Sequence, residues 1–174
     1  MPEEYSDHGA WQHGVMPKLS AGLLVFRVDG DGMITVLLVH PGGPFWRNKD
    51  VHAWSIPKGE YEPGEDAQQA AEREFEEELG LSSPDGPRID LGTIRQSGGK
   101  QVRAWAVRAD SLSIDAVVSN TFDLEWPPKS GAMQSFPEID LAEWVSVPEA
   151  TVRLVSAQVE FLHRLDAALN PGPG

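Results

Sequence analysis

Cysteine is absent from this 174-residue chain, which excludes disulfides, thiol catalysis and zinc–thiolate sites. Basic residues are few: 14 Lys and Arg stand against 27 Asp and Glu, a formal net charge of −13. Duplex DNA is a poor partner for such a chain, because phosphate contacts need clustered Lys and Arg. No apolar run approaches the ~18 residues that a membrane-spanning helix requires, so no membrane partner is expected. The opening Met1-Pro2-Glu3-Glu4-Tyr5-Ser6-Asp7-His8 lacks the basic start and apolar centre of a signal peptide. The expectation is a cytoplasmic enzyme or binding protein. With 40% hydrophobic and 24% charged residues, the chain suits one folded domain with a real core.

The acidity is local. Between Gly59 and Leu81 stand Glu60, Glu62, Glu65, Asp66, Glu72, Glu74, Glu76, Glu77 and Glu78 against a single base, Arg73. That segment carries −8 and the rest of the chain only −5, a concentration that points to a site.

Around it the pattern alternates between strand and helix signals. Residues 1–18 show no apolar periodicity and read as a flexible leader, residues 19–169 as the folded domain, and 170–174 (Asn-Pro-Gly-Pro-Gly) as a structureless tail. Ala21–Val28 and Ile34–His40 read as strands joined by the turn Asp29-Gly30-Asp31-Gly32. Residues His40–Trp46, with two prolines and two glycines, read as a loop. Short strands are expected at Trp54–Ile56, Ile89–Gln96, Gln101–Ala109, Val117–Phe122 and Ala142–Val147, with a closing helix from about Glu149 to Leu169. The acidic helix begins at Asp66, an N-cap with Gln69 three residues on, and stops at Gly80. The expected fold class is α+β: one mixed sheet with helices packed on it.

On a wheel of roughly 100° per residue, Ala67, Ala70, Ala71, Phe75 and Leu79 form one packing stripe, and Glu74, Glu77 and Glu78 crowd its edge. Like charges at i,i+4 repel, and the C-terminal half of a helix already disfavours anions. At about 6 Å and an effective dielectric near 20, each pair could cost up to about 3 kcal/mol. Arg73 alone cannot offset that. A hard divalent ion with oxygen ligands can, and magnesium is normally held by a few carboxylates plus substrate phosphates. On charge alone, a solvated Glu-rich face, the usual meaning of an acidic run, is the better account of the helix.

The spacing decides between them. Gly59, Glu65, Arg73-Glu74-Phe75, Glu77-Glu78 and Gly80-Leu81 resemble the signature of the Nudix hydrolases, G-x5-E-x7-R-E-U-x-E-E-x-G-U with U a bulky apolar residue. Every specified position matches. The entry Trp54-Ser55-Ile56-Pro57-Lys58-Gly59 is similar to the branch that includes asymmetric diadenosine tetraphosphate hydrolases. The resemblance implies an α/β/α sandwich about a central mixed sheet. It implies divalent metal, Mg²⁺ or Mn²⁺ in its place, bound by Glu74, Glu77, Glu78 and the Lys58 carbonyl. Arg73 is expected to orient a carboxylate, Glu65 to support the loop, and Gly59 and Gly80 to serve as a tight turn and a helix C-cap. The implied reaction is hydrolysis of a nucleoside diphosphate linked to some group X, a dinucleoside polyphosphate or a nucleoside triphosphate among the options. Glu77 and Glu74 would take part in the chemistry. Family members often add a glutamate about six residues before a late tryptophan; Glu138 stands so before Trp144, and Glu125 is its competitor as general base.

Candidate substrate contacts are the Lys58 side chain, His40, Trp46 and Trp126, with Trp54 also in or beside a loop and Trp105 reading as core. Tryptophan stacks on bases, though packing is the commoner use of any one of them. The implied partner is a small-molecule nucleotide, and a homodimer is compatible with the family. Two other readings compete: a Nudix-fold regulatory module that binds nucleotide without turnover, and an acidic helix that docks a basic protein. Intact Glu74, Glu77 and Glu78 weigh against the first.

Overall fold

Alternation in the first two strands creates both layers of the molecule. In the computed structural model, which describes residues 16–174, Ala21, Leu23 and Val25 of β1 (Leu19–Val28) face one side of the sheet and Leu24 and Phe26 the other. In β2 (Ile34–Pro41), Leu37 and Val39 join the first set and Val36 and Leu38 the second. Every second residue in a strand shares a face, so two apolar faces demand cover on both sides. The first is covered by α1 (Ala67–Leu79) through Ala70, Ala71, Phe75 and Leu79. The second is covered by α2 (Val147–Arg153) and α3 (Val159–Leu169) through Ala150, Phe161, Leu162 and Leu165. The α+β sandwich expected from the sequence is the fold observed.

The sheet runs β4-β5-β1-β2-β8, with β3 (Lys58–Glu60) paired to β1. Strands β4 (Ile89–Arg95), β5 (Gln101–Arg108) and β8 (Ile139–Ser146) complete it. Only β1 and β5 are parallel, and the other pairs are antiparallel. One edge of β1 changes partner along its length. Ser20–Gly22 pair with β3 and Phe26–Val28 with β2, and between them the Leu23 N–H donates to the Pro57 carbonyl at 3.1 Å. This split lets the loop before α1 enter the sheet, and the site forms beside it.

Four sequence expectations need correction. The strand expected at Trp54–Ile56 lies at Lys58–Glu60; Trp54 and Ser55 make only isolated bridges, to Leu154 and Val39. The strand expected at Val117–Phe122 starts at Thr121, as β6 (Thr121–Glu125), and pairs with β7 (Met133–Pro137), which periodicity missed. Val118 turns away to donate its N–H to the Leu79 carbonyl at 2.9 Å, satisfying a helix-end acceptor. The expected closing helix is broken at Leu154–Val155, where backbone bonds go sideways: Trp54 N–H to Arg153 O and Val155 N–H to Trp54 O. Finally, the loop expected from His40 starts later, because β2 runs on to Pro41 and buries His40 as the strand reading placed it. Of the expected leader, residues 1–15 lie outside the described residues.

Candidate active site

Helix α1 starts where the sequence places it. The Asp66 carboxylate accepts from the Gln69 N–H at 2.9 Å, and Gly80 ends the helix in the left-handed region, φ 65°. The packing stripe then fixes its acidic edge. Glu74 is largely covered, its side chain 14% exposed, whereas Glu77 is 50% exposed. Glu78 is half-buried and accepts a hydrogen bond from the Lys58 N–H at 3.0 Å. Thus β3 and α1 meet backbone to carboxylate at the split in the sheet.

Gly59 corrects one expectation. Its φ is not positive, so no turn demands glycine there. What demands it is space: a Cβ at Gly59 would lie 1.9 Å from a Glu74 carboxylate oxygen. The bare backbone of β3 is the wall against which Glu74 rests.

Arg73 gathers the remaining acids. Its guanidinium donates to Glu74 at 2.9 Å, to Glu77 at 3.3 Å and to Glu65 at 3.1 Å. Glu65 in turn accepts from the Glu62 N–H at 3.3 Å, which ties the loop to the helix. Burial pushes the Glu74 carboxyl above the ordinary glutamate range, Glu77 adding to the shift and Arg73 opposing it. Burial likewise pushes Glu78 up to about 7, with Glu74 and Glu138 contributing repulsion and Lys58 opposing it. Burial, then the neighbouring Lys100, lowers Lys58. Glu74 shares its one guanidinium with Glu77 and Glu65, and Glu78 has none, so this edge is short of positive charge.

Among the described residues no three acidic or imidazole side chains are gathered into a ready-made metal cage. Glu74 and Glu77 are turned onto Arg73, and Glu78 onto the Lys58 N–H. The donor set still suits a hard divalent ion, since every group is an oxygen and the excess charge is negative. The residues fit the ion once Glu77, half exposed and held only through Arg73, swings free.

A cavity of about 280 Å³ opens beside Glu78 and Lys58, and Glu138, Gln96, Gln158 and Trp46 also line it. The structure therefore brings Lys58, Glu78, Glu138 and Trp46 to one space. Glu125 sits instead on the β6–β7 hairpin, where it accepts from the Gly131 N–H at 2.7 Å. Trp126 does not line the cavity and packs edge-on to Phe45, ring centres 5.4 Å apart. His40 is 4% exposed, with one ring nitrogen 2.7 Å from Asp140 and the other 2.6 Å from the Lys49 carbonyl. Neither nitrogen is left for a ligand. Trp54 is buried, its indole N–H donating to Asp50 at 2.6 Å, and Trp105 is core as expected. Sequence reasoning missed Gln96 and Gln158; a lone glutamine carries no spacing signal.

A family model of the NUDIX domain matches residues 16–165. An RNA pyrophosphohydrolase of Serratia proteamaculans (strain 568) is 40% identical over 152 residues, covering 79% of this chain and 83% of the relative. The asymmetrical bis(5'-nucleosyl)-tetraphosphatase of Sus scrofa is 29% identical over 111 residues, covering 58% of this chain and 71% of the relative. In fold, the chain is similar to a C. elegans Ap4A hydrolase crystallised as a binary complex. The TM-score is 0.62 at 23% identity, with 88% of this chain and 99% of that one covered. It is also similar to the NUDIX domain of Shewanella oneidensis NrtR, crystallised with ADP ribose, with a TM-score of 0.59 at 16% identity, covering 89% and 90%.

Proposed function

The chain belongs to the Nudix family and is a hydrolase acting on nucleotide pyrophosphate bonds, and from that premise we propose that it cleaves a nucleoside polyphosphate with Mg²⁺. Mn²⁺ would substitute. The observation that supports this reading is the acidic edge of α1: Glu74 and Glu77 share the Arg73 guanidinium, and Glu78, held by the Lys58 N–H, borders a cavity that Lys58 and Glu138 also line. The group X is a second nucleoside or the remainder of a polyphosphate chain. The relatives named for RNA pyrophosphate and dinucleoside tetraphosphate chemistry make both worth assaying. A cytoplasmic setting belongs to the same reading.

The metal would be held by Glu74, Glu77, Glu78 and the Lys58 carbonyl, and when bound it supplies Lewis acidity toward phosphate oxygens and an activated water. The protein's own groups do the rest. Glu138, exposed at the cavity rim, takes a proton from the attacking water. The Lys58 ammonium offsets charge on the phosphate chain. Arg73 keeps Glu74 and Glu65 in register with β3. Net negative charge is no obstacle to a negative substrate, because the cation travels with it.

The test is a panel of nucleoside triphosphates, dinucleoside polyphosphates, 5'-triphosphorylated RNA and nucleotide sugars, with and without Mg²⁺, in ¹⁸O-water. Metal-dependent release of a nucleotide or pyrophosphate carrying ¹⁸O is expected. Failure to cleave any member of the panel, with either Mg²⁺ or Mn²⁺, would overturn the proposal.

A further inference from the structure

The cavity holds a polar device that the phosphate chemistry does not use. Gln158 is fully buried, and its amide can be oriented without ambiguity. The Ile56 backbone N–H, which can only donate, lies 3.0 Å from one side-chain atom of Gln158; that atom is therefore Oε1. The Nε2 must then be the group 3.0 Å from Ser55 Oγ and 2.9 Å from the Gln96 side chain. Because Nε2 donates, the Gln96 atom facing it is an acceptor, Oε1. The chain of amides ends with Gln96 Nε2, which has no hydrogen-bond partner among the described residues.

Gln96 borders the cavity, and the other walls suit a flat ring. Ile56, Ile139 and Val155 are apolar, and Trp46 lies at the rim, 38% exposed. The cavity's roughly 280 Å³ suffices for a purine and leaves the phosphates toward Lys58 and Glu78.

We infer that Gln96, held as a hydrogen-bond donor by Gln158, selects nucleotides whose base presents a carbonyl oxygen to it, guanine or hypoxanthine over adenine. A glutamine free to use both amide groups can accept from the amino group and donate to the ring nitrogen of adenine. Here the Oε1 side of Gln96 faces Gln158, which takes one of its lone pairs, so the unpartnered group of the amide is its N–H, and an exocyclic amino group would meet it donor to donor. This inference rests on the cavity being the nucleotide site of the reading above.

The test is calorimetric titration of the full chain with GMP, IMP and AMP in Mg²⁺ buffer, beside hydrolysis of the best substrate in its guanosine and adenosine forms. Wild-type protein is expected to bind GMP and IMP about tenfold tighter than AMP. Gln96→Leu should level the three. Gln96→Glu, which still accepts from Gln158 but presents an acceptor to the base, should reverse the order. So should Gln158→Glu, which cannot donate to Gln96 and turns its amide over. A merely structural role would weaken all three nucleotides alike. A wild-type preference for AMP, or a ratio that none of the variants moves, overturns the inference while leaving hydrolysis intact. Absence of binding by all three nucleotides overturns it too. Selective binding without hydrolysis would instead sink the proposed function and leave the base selection standing.

Discussion

The α-carbon of Gly59 rests against the carboxylate of Glu74 so closely that a single added methyl would sit 1.9 Å from its oxygen. Gly59→Ala must therefore displace Glu74 or shift β3. The expected outcome is a loss of about 1–3 kcal/mol of stability in chemical denaturation and a fall in turnover larger than that instability explains. Wild-type turnover from a folded Gly59→Ala protein would show that Glu74 does not need that seat.

Along α1, neighbouring glutamates should behave unequally. Glu77→Gln and Glu78→Gln are expected to lower kcat on the order of 10²-fold at saturating Mg²⁺. Glu76→Gln should stay within about threefold, because Glu76 faces out and its one contact, accepting from the Ser83 N–H at 3.1 Å, survives in glutamine. Equal activity in the three variants would remove the basis for the metal assignment.

Glu138 and Glu125 are separated by position. Glu138 lines the cavity and repels Glu78, whereas Glu125 caps a turn in the β6–β7 hairpin. Glu138→Gln should cut kcat by roughly 10²-fold or more. Glu125→Gln should leave kcat unchanged and lower the melting temperature slightly. The reverse pattern would move the base to the hairpin.

The metal-free fold should weaken as pH rises. In the unfolded chain Glu78 titrates near 4.5, and in the folded one burial raises it to about 7. The folded state thus binds the proton more tightly. Its contribution is complete below about pH 4.5 and is lost as pH rises through 7, a change on the order of 1–3 kcal/mol. Melting in chelator at pH 5 and pH 8 measures it. Glu78→Gln should shrink the difference, and an unchanged difference would show that Glu78 ionises freely.

Legibility in the sequence followed the length of the repeating pattern. Helix α1 could be read to its caps because Asp66, the Ala70–Leu79 stripe and Gly80 agree with one another. Strands β1, β2, β4 and β5 were legible for the same reason. Where the chain breaks its own period, the sequence misled. Val117 and Val118 look like strand, yet Val118 bonds back to Leu79 at the end of α1. Leu154 and Val155 continue a helical pattern that Trp54, a hundred residues earlier, interrupts by donating to the Arg153 carbonyl and accepting from the Val155 N–H. The acids of the candidate site form a local spacing on one helix, which is why the sequence alone could nominate them. His40 was not legible in this way, since its partners, Asp140 and the Lys49 carbonyl, belong to a neighbouring strand and a loop. Nor were Gln96 and Gln158, which become a unit only when the cavity closes around them.

That break in the closing helix also sets an order of events. The carboxylate edge is complete by residue 80, but the cavity floor is supplied by Val155 and Gln158. During synthesis the acidic edge leaves the ribosome long before the floor. A chain cut short ahead of residue 155 would keep every acid of α1 and lack the cavity walls that Val155 and Gln158 supply.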